Sequence, residues 1–126
     1  MENYEVITTF KFCFTDNSCK GNFKDAVDIS KAKIESTLNR MGKVFCVGYQ
    51  ASLNKGVGGS VFYPVHAVKL DYAVEKKQTV SGNDYKDAMQ AAMINVDKDG
   101  KILKEDNRIS GIKLRREIKK CIPDLV

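Results

Sequence analysis

Tyr4-Glu5-Val6-Ile7-Thr8-Thr9-Phe10-Lys11-Phe12-Cys13-Phe14-Thr15 is the stretch on which the fold turns. In an extended chain successive side chains point to opposite faces, so Tyr4, Val6, Thr8, Phe10, Phe12 and Phe14 share one face. Glu5, Ile7, Thr9, Lys11 and Cys13 share the other. A period of two carried by aromatic and β-branched residues predicts a strand. Its aromatic face is expected to pack against helices, leaving the half-polar face open.

Residues 16–22 are turn-rich and lead into a helix. Phe23, Val27, Ile34, Leu38 and Met41 recur at helical spacing and gather on one stripe. Asn22 is the expected N-cap with Asp25 in the first turn, Asp28 being an alternative cap. Gly42 fits the residue just beyond the helix, where a left-handed conformation suits glycine.

A second strand is expected over 44–53, and residues 54–60, rich in glycine, form a connection to a third strand over 61–74. The apolar phase of that strand changes midway, from Val61, Tyr63, Val65 and Ala67 to Val68, Leu70, Tyr72 and Val74. The slip predicts a bulge near residues 64–67, and Pro64 places that end on a sheet edge or at the irregularity. Strands two and three make a hairpin.

Ser81-Gly82-Asn83-Asp84 resembles a capping box before a helix carrying Tyr85, Ala88, Met89, Ala92 and Met93. A short strand at 94–96, turned by residues 97–100 into Ile102 and Leu103, is expected next. A last helix over 110–122 buries Leu114, Ile118 and Cys121 and stops at Pro123.

The order predicts one α+β domain over residues 1–126. It is read as a two-layer sandwich of ferredoxin-like order β-α-β-β-α-β plus a C-terminal helix. An irregular α+β roll with an antiparallel sheet is the alternative.

Composition narrows the chemistry. The 126 residues carry 21 Lys+Arg against 16 Asp+Glu, a net charge of +5. Such a chain suits nucleic acid, a nucleotide or an acidic protein as partner without requiring any of them. The N-terminus lacks a basic stretch followed by an apolar one, and no run is long enough to span a membrane, so a cytoplasmic protein is expected. Cys13, Cys19, Cys46 and Cys121 show no CxxC spacing. In that setting Cys13, Cys46 and Cys121 read as small buried apolar residues rather than disulfides or zinc ligands.

No complete catalytic constellation is visible, and the chain is read as not an enzyme. His66 is the sole histidine and lies in a strand. Asp25/Asp28 and Asp97/Asp99 are ordinary surface pairs. Residues 95–106 place Asn95, Asp97, Asp99 and Asp106 where an EF-hand-like loop has oxygens, with Gly100 at the turn. Asp106 is shorter than the usual Glu, three lysines dilute the field, and Asp99-Gly100 is a hairpin signal. No metal and no cofactor are therefore assigned.

Two segments offer cations or backbone donors to an anion. Lys55 and Gly58 lie in the glycine-rich connection, where successive N–H groups form a phosphate nest. Arg108, Lys113, Arg115, Arg116, Lys119 and Lys120 are opposed over their span by Glu117 alone. On the expected helix Lys113, Arg116 and Lys120 share a face, with Arg115 and Lys119 beside them. The open face of the first strand has no aromatic platform of the kind RNA-recognition domains use for base stacking.

The expected function is a small non-catalytic binding protein whose basic surface engages an anionic partner, nucleic acid or a nucleotide-like phosphate ligand. The alternative is an oligomeric protein–protein adaptor or inhibitor acting through a sheet edge, with the third strand and its Pro64 end as that edge.

Overall fold

A computed structural model describes residues 1–53 and 64–122. The elements follow the order β1 (Glu2–Lys20), α1 (Phe23–Leu38), β2 (Lys43–Leu53), β3 (Val65–Gly82), α2 (Tyr85–Glu105) and β4 (Ile109–Lys120). The strands form one antiparallel sheet in the order β2-β3-β1-β4. The fold is α+β, with four strands and two helices among the described residues.

β1 behaves as its alternation predicts. Tyr4, Val6, Thr8, Phe10, Phe12 and Phe14 are all buried, and the residues between them are half-buried or exposed. Phe10, Phe12 and Phe14 enter a core with Val68, Leu70, Tyr72 and Val74 of β3. Ala26, Val27, Ile34 and Leu38 of α1 and Val96 and Leu103 of α2 join the same core. Both helices thus cover one face of the sheet.

Local capping fixes where the helices start. Asn22 Oδ1 accepts the Asp25 N–H at 2.9 Å, as expected. For α2 the cap is Asp84, three residues beyond the expected Ser81. Its side chain accepts the Asp87 N–H at 2.8 Å, and Asp87 Oδ2 accepts the Asn83 N–H at 3.3 Å. The arrangement resembles a capping box shifted by one residue, because Asp87 accepts from Asn83 rather than from the cap residue itself.

Three further expectations are corrected. Residues 94–103 form no strand and no hairpin; they lie within α2. Ala88, Ala92, Val96 and Leu103 are its buried stripe, and Asp99 reaches Lys76 of β3 at 2.9 Å. Helical period and this tertiary pair override the local Asp-Gly turn signal. Residues 110–122 form no helix: 109–120 are β4. The four-residue step from Leu114 to Ile118 suits one helical turn or two strand repeats alike, and Arg116 between them hides the alternation. The arrangement with an appended C-terminal helix is therefore not matched. The third strand is not an edge, since β3 is paired on both sides, by β2 and β1.

The expected irregularity near Pro64 appears as a register shift between Asp16 and Cys19 of β1, opposite Val68 and His66. The extra residue sits on β1, not on the strand whose phase change announced it.

Gly42 is required for a different reason than the one expected. Positive φ among the described residues occurs only at Gly21 and Gly111. A Cβ on Gly42 would lie 2.2 Å from the Glu75 carbonyl oxygen, so the glycine lets the α1–β2 turn pass against β3. Gly42→Ala is expected to cost about 1–3 kcal/mol through this overlap with backbone. The urea midpoint of the variant checks it, and an unchanged midpoint contradicts the account.

Candidate functional site: the open face of the sheet

Residues directly opposite each other in an antiparallel pair share a face. The face turned away from the helices can therefore be read rung by rung. Lys119, Glu5 and Thr79 form one rung, and Glu117, Ile7 and Lys77 the next. Arg115, Thr9, Glu75 and Lys43 follow, then Lys113, Lys11, Ala73 and Phe45. Cys13, Asp71 and Gly48 come after them, and Thr15, Lys69 and Gln50 close the series. Lys11, Lys43, Lys69, Lys77, Lys113, Arg115 and Lys119 thus face Glu5, Asp71, Glu75 and Glu117 on one surface.

The strand assignment redistributes the C-terminal cations. Lys113, Arg115 and Lys119 lie on the open face. Arg116 and Lys120 fall on the helix side of β4, opposite Thr8 and Tyr4. The helical grouping of Lys113, Arg116 and Lys120 is replaced by strand alternation. Several of these charges have partners. Arg115 meets Glu117 at 3.2 Å, Lys119 meets Glu5 at 3.4 Å, and Lys120 meets Glu2 at 2.6 Å.

Arg108 is bound up in the turn before β4. Its guanidinium forks onto Asp106 at 3.0 and 2.9 Å and lies over the Phe14 ring at 4.9 Å. The fork holds the Asp106 carboxyl below its ordinary range and raises Arg108. Lys55 and Gly58 lie outside the described residues.

The open face carries a hollow of about 480 Å³ that reaches across all four strands. Lys11 and Cys13 line it from β1, Asp71 and Ala73 from β3, Val47 from β2, and Gly111 and Lys113 from β4. Its volume falls in the range of roughly 300–1,000 Å³ usual for small-molecule sites.

Two bulges bracket this hollow. On β2 the register steps from Cys46↔Tyr72 to Gly48↔Asp71, which leaves Val47 as the extra residue, 69% exposed. On β4 it steps from Lys113↔Lys11 to Ser110↔Cys13, with Gly111 at φ 65°. A glycine in that conformation is the signature of a bulge on an edge strand. Both bulges meet the sheet at the Phe12↔Tyr72 rung, one on each edge.

Cys13 sits on the floor of this hollow. Its thiol donates to Asp71 Oδ1 at 2.9 Å. The hydrogen bond to Asp71, helped by burial, pushes the Cys13 thiol up. Proximity to the carboxylate therefore keeps this sulfur protonated rather than nucleophilic. Cys13, Cys46 and Cys121 are half-buried, and the fully buried cysteine is Cys19, whose thiol donates to the Ala26 carbonyl. Buried His66 stands at the far end of β3, in register with Cys19 and Leu53. Among the described residues no group of three His, Cys, Asp or Glu side chains is placed to hold a metal ion.

A second cavity, about 530 Å³, lies between α2 and β4 over Phe10, Val96, Gly100, Ile112 and Leu114. Asp97, Lys101, Lys104 and Glu105 ring it with both signs of charge, so it selects no ligand charge. No described helix is long and apolar enough to cross a membrane.

The basic residues Lys11 and Lys69 and the apolar Phe45 and Val47 were not singled out by sequence reasoning. The alternation of β1 already put Lys11 on the open face. Placing Lys113 beside it required knowing that 109–120 is a strand. Comparison with protein-family models, with curated proteins and with solved structures found no match.

Because Asp71 holds the Cys13 proton in place, Asp71→Asn is expected to bring the thiol back toward its ordinary range. Alkylation of Cys13 by iodoacetamide near pH 8, followed by peptide mass spectrometry, should then be severalfold faster than in the parent protein. An equal rate in the two proteins contradicts the coupling.

Proposed function

We propose that this chain is a non-catalytic binding protein whose open basic sheet face engages an anionic partner, nucleic acid above all. The observation that carries the reading is the uncovered face itself, on which lysines and arginines from all four strands outnumber carboxylates. An uncovered cationic surface of this kind follows a phosphate backbone through charge and releases counterions when it binds. The two sides of the sheet divide the labour. The helix side supplies the core, and the open side is free to meet a partner.

We also propose that the sheet and its two helices form a ferredoxin-like sandwich. β3 lies between β1 and β2, and β1 lies between β3 and β4. That placement supports a ferredoxin-like sandwich built from two split β-α-β units.

A second reading, an adaptor that pairs through a sheet edge, is favoured by one feature. β2 is an edge strand and exposes Val47, Tyr49 and Leu53. The aromatic contact of Tyr49 with Phe23 extends that surface onto α1. A monomer by size-exclusion mass at high protein concentration argues against it.

The electrostatic reading is tested by anisotropy of a labelled single-stranded oligonucleotide over a series of salt concentrations. Affinity should fall steeply, with a slope of about −0.7 in log–log form for each phosphate contacted. Arg115→Ala and Lys119→Ala should each flatten that slope by less than one contact, since both cations are partly engaged by Glu117 and Glu5. Affinity that does not change with salt overturns the reading.

A further inference from the structure

We infer that the hollow between the two bulges, together with the Phe45 ring beside it on the Lys11 rung, is a subsite for one nucleotide unit, with its phosphate between Lys11 and Lys113 and its base against Phe45. The inference rests on the anionic-partner reading of the open face and gives that face a place where binding is discrete.

Charge complementarity identifies the phosphate end. Lys11 and Lys113 are directly opposite in register. Side chains at such positions have Cβ atoms about 4.5–5.5 Å apart, and like charges there repel. Among the described residues neither ammonium is ion-paired, in contrast to Arg115 and Lys119 on the same strand. The rest of their own rung is Ala73 and Phe45, with no carboxylate to balance them. Two acids stand one rung away on β3, Asp71 on one side, whose Oδ1 already accepts the Cys13 thiol, and Glu75 on the other, and neither is ion-paired to these lysines. A phosphate is the group that turns this repulsive pair into two charge-assisted hydrogen bonds.

The apolar half of the rung identifies what the phosphate is attached to. Ala73 offers only a methyl group to a ligand lying across β3. Beyond it Phe45 is 41% exposed, with the Lys43 ammonium 5.3 Å from its ring centroid. Lys11 on β1 and Phe45 on β2 are two strand spacings apart, about 9.6 Å, and Lys113 on β4 is one spacing further. That span suits a ligand with an anionic end, a compact middle and a flat aromatic end. The Val47 bulge brings an exposed apolar side chain to the aromatic end of the hollow. The Gly111 bulge leaves the phosphate end open, because a Cβ there would meet nothing within 4 Å. A nucleoside monophosphate unit has this sequence of groups, and an aromatic ring stacks any base without reading its edge.

The experiment is a titration of the isotope-labelled protein with adenosine 5′-monophosphate, adenosine and inorganic phosphate, followed by amide NMR shifts. Saturable shifts at residues 11, 45, 73 and 113 are expected with the monophosphate. Adenosine alone and phosphate alone should each bind roughly tenfold or more weakly. Lys113→Ala and Phe45→Leu should each weaken the monophosphate by about tenfold, whereas Lys77→Ala, elsewhere on the face, should change it less than twofold. Absence of saturable shifts at these residues, or equal binding of phosphate and monophosphate, overturns the subsite. The two readings separate in the oligonucleotide assay. Salt-sensitive oligonucleotide binding that survives Phe45→Leu and Lys113→Ala unchanged sinks the subsite and leaves the basic face standing. Loss of oligonucleotide binding in the parent protein, with the monophosphate still saturating these residues, sinks the polyanion reading alone.

Discussion

A strand hydrogen-bonded along both sides has no freedom to choose which of its faces is buried, and β1 is such a strand. It pairs with β3 from Glu2 to Lys20 and with β4 from Tyr4 to Phe14. Because its aromatic face cannot be left in water, both helices must come down on that side. Burying one phenylalanine side chain is worth about 1.5–3 kcal/mol. Phe10, Phe12 and Phe14 in succession therefore weigh more than any local preference nearby. A one-residue slip would send all of them outward and bring Lys11 and Glu5 in. The register of β1 thus fixes the sheet and, by exclusion, the composition of the open face.

β4 inherits its roles from this constraint. As an edge strand it leaves one row of backbone donors and acceptors unpaired, and charged side chains discourage pairing with another chain. Arg115, Arg116, Lys119 and Lys120 serve that purpose whatever else they do, and several are held by nearby carboxylates. Such exposed pairs contribute little to stability, typically below about 1 kcal/mol each. What distinguishes Lys11 and Lys113 is therefore not that they are basic. It is that the sheet sets two ammonium groups side by side and gives them no carboxylate on their rung.

How much of this could be read in the sequence follows from which signals were unambiguous. The alternation of 4–15 and the stripe of Phe23, Val27, Ile34, Leu38 and Met41 each match one period and fail the other, and a strand and a helix stand there, although Phe23 is exposed and the strand continues through the expected loop to Lys20. In residues 94–106 and 110–122 short-range cues conflict with distant contacts, and the distant contacts decide the structure. Asp99-Gly100 looks like a turn until Lys76 is known to lie across from Asp99. Leu114 and Ile118 look helical until β1 is known to stand beside them. The cations of the C-terminal segment were visible as a cluster, but their faces were not, since alternation and helical period sort the same residues differently. The hollow was illegible for a plainer reason. It joins residues of all four strands, and no window of sequence contains them together.

The paired bulges give the open face its shape. An extra residue on one strand bends it and increases the local twist. Here Val47 and Gly111 do this on opposite edges at the level of one central rung, Phe12↔Tyr72, whose rings are 5.9 Å apart on the buried side. Bending at one edge alone would tilt the sheet. Bending at both, with the centre held by the core, fits a depression across the outer face. The same anchoring explains why a like-charged rung is tolerated there. Repulsion between directly opposed charges is of the order of 0.2–1 kcal/mol and weakens with salt. Moving Lys11 would require the β1 register to shift, at the cost of three buried phenylalanines. The core is thus strong enough to hold a small electrostatic penalty in place on the opposite face.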